Sequence, residues 1–163
     1  MENLLLDERT GNCVHVDFDM LFDKGASLKV PEQVPFRLTQ NVIDAFGVCG
    51  YEGVFRKCCE LTLKILRSNE DTLTSVMETF LHDPLLQWKP EKKARSESNN
   101  QGWSDSARAK AREYLSVMVR KLQGQTSKDG PPLSVDGAVL DLIERATSDD
   151  NLALMFHGWA PFL

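Results

Sequence analysis

The run Asn3-Leu4-Leu5-Leu6-Asp7-Glu8-Arg9-Thr10-Gly11-Asn12-Cys13-Val14-His15-Val16-Asp17-Phe18-Asp19 decides how the chain is read. Cys13 to Asp17 alternates as a strand, with Val14 and Val16 on one face and a carboxylate, Asp17, at the C-terminal end, where open sheets place ligands. Asp7 to Asn12 is turn-forming, with glycine near its end, so the apolar runs on either side are expected to pair as an antiparallel hairpin. Asn3 and Asp17 then fall almost opposite each other. An amide and a carboxylate at one end of a ribbon suit magnesium, which takes few protein oxygens and fills its octahedron with water and phosphate oxygens. An ordinary hairpin with polar ends has the same spacing, and from spacing alone it is the preferred reading.

The 163 residues fit one compact domain, and an apolar content of 42% is enough for a core. A net charge of −5 argues against direct contact with nucleic acid, whose footprint is basic and clustered. The four cysteines, Cys13, Cys49, Cys58 and Cys59, lack paired zinc spacing and are expected to be reduced core thiols. No apolar run approaches the ~20 residues that span a bilayer, so no membrane partner is expected.

From Asp17 to about Thr39 there is no helical period, and Gly25, Pro31 and Pro35 break the chain, which predicts a long ordered loop. Its acidic run does not fit a calcium loop, because Phe22 stands where that loop needs glycine. A short helix is expected from Gln40 to Phe46, stopped by Gly47, and a longer one from the Gly53 region to about Arg67. In the longer helix Val54, Cys58, Leu61 and Ile65 form one apolar stripe, with Phe55, Cys59, Thr62 and Leu66 beside it. Arg56 either pairs with Glu52 along the helix or holds the preceding loop.

Asn69 is expected to cap the next helix, which buries Leu73, Val76, Met77, Phe80 and Leu81 and ends before Pro84. His82, near that end, is read as structural in preference to a metal or proton role. Lys89 to Trp103 has the composition of a flexible linker, in which Lys92-Lys93-Ala94-Arg95 reads either as a nuclear import signal or as a solvated charged turn. Ser104 is expected to cap a helix to Gln123, with Ala107, Ala111, Leu115, Met118 and Leu122 on one face and Gly124 as its stop. Ser134 is expected to cap a helix to about Thr147, and Asp149 or Asp150 a last short one. The close, Gly158-Trp159-Ala160-Pro161-Phe162-Leu163, exposes apolar area at roughly 25 cal/mol per Å² unless docked. Its two readings are burial within the fold and a hydrophobic plug for a partner or membrane interface.

Several motifs together resemble the kinase domain of the phosphatidylinositol-3-kinase-related protein kinases, and within it the ATR-like members and their fungal relatives. They are Glu2-Asn3-Leu4-Leu5-Leu6-Asp7, His15-Val16-Asp17-Phe18, Leu21-Phe22-Asp23-Lys24-Gly25, Val30-Pro31-Glu32, Val34-Pro35-Phe36-Arg37-Leu38-Thr39, Glu52-Gly53-Val54-Phe55-Arg56 and Phe80-Leu81-His82-Asp83-Pro84-Leu85. From Leu133 to the last residue the chain is similar to that family's FATC segment. The resemblance implies a mainly α fold: a protein-kinase-like C-lobe with an N-terminal β-hairpin, followed by FATC helices. Residues 1–88 are then a truncated C-lobe, 89–103 a flexible linker, 104–132 a further C-lobe helix and loop, and 133–163 the FATC segment.

The resemblance also implies a serine/threonine kinase in which Asn3 and Asp17 hold magnesium (Mg2+) on the phosphates of ATP. Asp17, Phe18, Asp19, Pro35, Phe36 and Arg37 belong to its activation segment, and Trp159 and Phe162 dock the FATC segment beneath it. The base aspartate and the N-lobe would lie upstream of residue 1, so the chain is expected to be a fragment, inactive alone. The resemblance implies protein substrates with glutamine after the acceptor, a recruiting partner protein, and nuclear DNA-damage checkpoint signalling. The activation segment lacks the basic cluster that several inositol phosphates would need, which favours protein over lipid substrates. The alternative function is a non-catalytic interaction module built on the FATC helices.

Overall fold

The computed structural model describes residues 3–16, 24–81, 105–125 and 130–162. The hairpin forms from β1 (Leu4–Leu6) and β2 (Cys13–His15), antiparallel, with Leu4 facing His15, Leu5 facing Val14 and Leu6 facing Cys13. Its turn is tied by Asp7, whose backbone N–H donates to Asn12 O at 2.9 Å. The Asp7 carboxylate accepts from Arg9 N and Thr10 Oγ1, both at 2.9 Å. Those donors hold its carboxyl below the usual carboxylate range, the Arg9 amide contributing most. Val14, Leu5 and Leu6 on the ribbon are exposed.

The remaining regular elements are helical. They are α1 (Gln40–Ala45), α2 (Val54–Ser68), α3 (Glu70–Leu81), α4 (Asp105–Leu122), α5 (Val135–Thr147) and α6 (Asp149–Ala153), with short 3-10 turns at Lys24–Ser27, Gly50–Glu52 and His157–Trp159. Two serines start the last helices. Ser134 Oγ accepts from Gly137 N at 3.0 Å, as expected, and Ser148 Oγ accepts from Asn151 N at 3.4 Å. Ser148 therefore takes the capping place expected of Asp149 or Asp150, which stand instead in the first turn of α6, where the dipole favours acid.

Asn69 serves both neighbouring helices: as expected it stands at the start of α3, its carbonyl accepting from Leu73 N at 3.0 Å, and it also turns its side chain back to α2. Its amide donates to Ile65 O at 2.8 Å, closing α2. The expected cap Ser104, the linker 89–103, His82, and Pro84 to Trp88 lie outside the described residues, as do the side chains of Phe80, Leu81, Ala107 and Ala111.

The core is small and lies where the chain after Pro35 meets α1, α2 and α5. Leu38, Val139, Ile143 and Ala146 are buried together, with Phe36, Val42, Ile43, Tyr51, Phe55, Cys59 and Leu63 packed around them. Phe55 stacks on Phe46 at 4.8 Å between ring centroids and tilts against Phe36 at 6.2 Å. The side of α2 that enters the core is thus Phe55, Cys59 and Leu63. The stripe Val54, Cys58, Leu61 and Ile65 is turned away, with Val54 80% and Ile65 62% exposed. A 3.6-residue period identifies apolar rows but not which row meets a neighbour.

Candidate functional site

Asn3 immediately precedes β1, and its carbonyl accepts from Val16 N at 3.0 Å. This bond extends the ladder by one pair, so the ribbon end that carries Asn3 is also where the chain runs on to residue 17. Asp17, Phe18 and Asp19 lie outside the described residues. An amide oxygen at this end is a hard donor of the kind magnesium accepts. Among the described residues no group of three His, Cys, Asp or Glu side chains is close enough to hold a metal ion.

From Lys24 the chain forms a loop closed on itself. Gly25 O accepts from Leu28 N at 3.3 Å and from Glu32 N at 3.0 Å. The Glu32 carboxylate lies where a side chain on residue 25 would start, so any Cβ there would collide with it. Residues 25 to 32 are therefore a tight, self-bonded loop that delivers the chain to Gln33.

From Gln33 onward the chain is held by the far end of the sequence. Gln33 N donates to Met155 Sδ at 3.3 Å. Arg37 reaches the closing turn: Nη1 donates to Trp159 O at 2.5 Å, Nη2 donates to Ala160 O at 3.2 Å, and the guanidinium carbon lies 4.4 Å from the centroid of the Trp159 ring. Both carbonyls are presented because Ala160 adopts a left-handed conformation, with φ of 51°. A non-glycine residue there is strained by about 1–2 kcal/mol, and the bonds from Arg37 offset that strain. Burial lowers the pKa of Arg37 below its ordinary value, and a guanidinium stays charged.

Of the sequence-predicted positions, Arg37 and Trp159 meet, Phe36 packs at the core, and Pro35 is exposed. Phe162 is 57% exposed, while the preceding Pro161 is buried. Arg56 is engaged along α2, its Nη1 2.6 Å from Glu52 and its Nε 3.2 Å from Glu60. It forms the helix-surface pair rather than a hold on the loop. Sequence reasoning did not single out Met155 as a partner of Gln33, Glu32 as the cover over Gly25, or the Trp159 and Ala160 carbonyls as acceptors. No residue spacing signals a bond across 122 positions.

Comparisons with known proteins place these features in a common context. The Phosphatidylinositol 3- and 4-kinase family matches residues 1–90, and the FATC domain matches residues 132–163. The chain is 47% identical over 161 residues to protein kinase rad3 of Schizosaccharomyces pombe and 46% identical over 161 residues to serine/threonine-protein kinase ATR of Arabidopsis thaliana. Each match takes in 99% of this chain and 6% of the relative, so the chain spans only a small part of their length. Among solved structures it is similar to the FAT and kinase domain of CtTel1, with a TM-score of 0.77 and 39% identity over 99% of this chain and 10% of that one.

Proposed function

This chain belongs to the phosphatidylinositol 3- and 4-kinase family, and from that premise we propose that it is the C-terminal part of an ATR-like serine/threonine protein kinase, comprising C-lobe and FATC segment. The longer protein transfers phosphate from ATP to serine or threonine in protein substrates, with glutamine after the acceptor, in nuclear DNA-damage checkpoint signalling. A recruiting partner protein brings it to its site of action. The observation that carries this reading is the grip of Arg37 on Trp159 and Ala160, which joins the two matched segments at the loop where a kinase lays its protein substrate.

In this reading Asn3 and Asp17 hold magnesium, and the ion when bound neutralises charge on the ATP phosphates. An amide oxygen and a carboxylate are the donor chemistry that a hard octahedral ion takes, and Asn3 stands at the ribbon end from which residue 17 follows. The remaining chemistry of this chain is positional. The loop closed by Gly25 and Glu32 fixes one end of the substrate platform. Met155, Trp159 and Ala160 fix the other. A platform fixed at both ends presents an acceptor hydroxyl without first being ordered by the substrate, which lowers the barrier by orientation. By sequence, residues 17–39 carry Asp17, Asp19, Asp23 and Glu32 against Lys24, Lys29 and Arg37, and Arg37 is engaged by the C-terminal turn. That balance suits a peptide better than a headgroup bearing several phosphates.

The test is transfer of radiolabelled phosphate to a peptide containing Ser-Gln. The longer protein is expected to transfer it only with magnesium, and the 163-residue chain not at all. Metal-dependent transfer by the short chain would overturn the assignment of its catalytic base to upstream sequence.

A second reading has its own support. Leu154, Phe156 and Phe162 are all more than half exposed, as on a partner-binding surface. Titration with ATP separates the two readings: magnesium-linked nucleotide affinity once the upstream lobe is present belongs to the kinase, and partner binding without it to an interaction module.

A further inference from the structure

Arg67, in the last turn of α2, has an arrangement that the kinase reading does not use. Its Nη1 donates to Leu133 O at 3.0 Å. Its Nε and Nη2 are buried and meet no acceptor among the described residues. Among the described residues the Leu133 carbonyl is therefore the acceptor through which this guanidinium acts.

That bond falls at a junction. Gly124, with φ of 84°, ends α4, with Gly124 N donating to Lys121 O at 3.1 Å and Gln125 N to Arg120 O at 2.9 Å. Gly124 O in turn accepts from Leu133 N at 3.0 Å. A Cβ on Gly124 would lie 2.5 Å from both Arg67 Nη2 and Leu133 O. Glycine is therefore needed twice over here, for its φ and for the space the guanidinium occupies. Leu133 directly precedes Ser134, the cap of α5. The place where α5 begins is thus held from two sides, by Gly124 through the Leu133 N–H and by Arg67 through the Leu133 carbonyl.

We propose that Arg67 is a positioning residue: by fixing the Leu133 carbonyl against the end of α2 it sets the placement of α5 and α6, and through them the meeting of the Trp159 and Ala160 carbonyls with Arg37. The inference rests on the reading that the C-terminal turn braces the activation segment. Coupling of this kind needs a continuous physical path. Here it runs from Arg67 to Leu133, along α5, whose Val139 and Ile143 pack with Leu38, and through α6 to Met155 and Trp159. The competing possibility is that packing against Leu38 alone places α5 and that Arg67 only adds stability.

Hydrogen exchange on the 163-residue chain separates the two. In Arg67→Met, which keeps the apolar stem and removes the donors, the amides of Gln33, Trp159 and Ala160 are expected to exchange about tenfold faster, with Leu73 N in α3, bonded to Asn69 O, unchanged. Arg67→Lys, which keeps a donor within reach of Leu133 O, is expected to stay within about threefold of the parent chain. Equal acceleration at Leu73 would reduce Arg67 to a general stabiliser, and no acceleration anywhere would show that core packing suffices; either result overturns the proposal. If Arg67→Met does not fold, Arg67→Gln, too short to reach the Leu133 carbonyl as the guanidinium does, is read by the same amides with the same outcomes. These readouts concern the chain's own architecture, so they stand apart from whether the longer protein transfers phosphate.

Discussion

Replacing Arg37 with methionine removes the side chain that ties the loop before α1 to the two C-terminal carbonyls, while keeping most of the apolar stem. Two hydrogen bonds from a charged donor contribute about 1.5 kcal/mol each. The contact with the Trp159 ring at 4.4 Å adds about 1 kcal/mol for a partly desolvated cation. Against these, the substitution relieves the desolvation of the guanidinium, including a buried Nε that meets no acceptor among the described residues, by about 2 kcal/mol. The difference is a loss of about 2 kcal/mol, which corresponds to local opening about 30-fold more frequent.

The assay is native-state hydrogen exchange of Trp159 N and Ala160 N, which donate to Phe156 O and His157 O at 2.8 and 3.0 Å. A 30-fold acceleration confined to these amides and Gln33 is expected. Acceleration of less than about threefold would mean that the grip contributes almost nothing and that the terminal turn is held by other contacts.

Trp159→Ala removes a half-buried ring and its cation–π contact but leaves the carbonyl that accepts from Arg37. A loss of about 2 kcal/mol is expected in urea unfolding, and an unchanged midpoint would contradict docking of the ring. Burial raises the pKa of Cys59, followed by the smaller effects of Cys58 and Glu60, which favours its neutral thiol. Because the folded value lies above the unfolded one, this contribution to stability is fully present below the unfolded pKa and fades as pH rises through the folded value. At mildly alkaline pH, iodoacetamide is therefore expected to label the exposed Cys13, Cys49 and Cys58 before Cys59, and equal rates would refute the assignment.

The helices were legible in the sequence because their signals are local. Apolar spacing, Gly47 after α1, Gly124 after α4 and Ser134 before α5 each act within a turn or two of the residue they influence. The hairpin was legible for the same reason, since a six-residue turn between two apolar runs leaves few registers that place Leu4 beside His15. The buried row of α2 was not legible, because Phe55 and Val54 are equally apolar and only the position of Leu38 and Ile143 decides between them. Nor were the cap at Ser148 and the turn of the Asn69 amide back to α2, where neighbouring polar residues compete for the same helix end. The hold on the loop before α1 was least legible of all. Its acceptors are two backbone carbonyls and a thioether, groups that no residue pattern advertises.

The most direct test of the metal-centred reading is phosphate transfer by the longer protein carrying Asp17→Asn, measured against the parent at saturating ATP and magnesium. A fall of about a thousandfold or more, with the C-terminal amides exchanging as before, is the predicted result. Turnover within about tenfold of the parent would contradict it, because Asp17 would then not be a carboxylate that the magnesium-bound phosphates require.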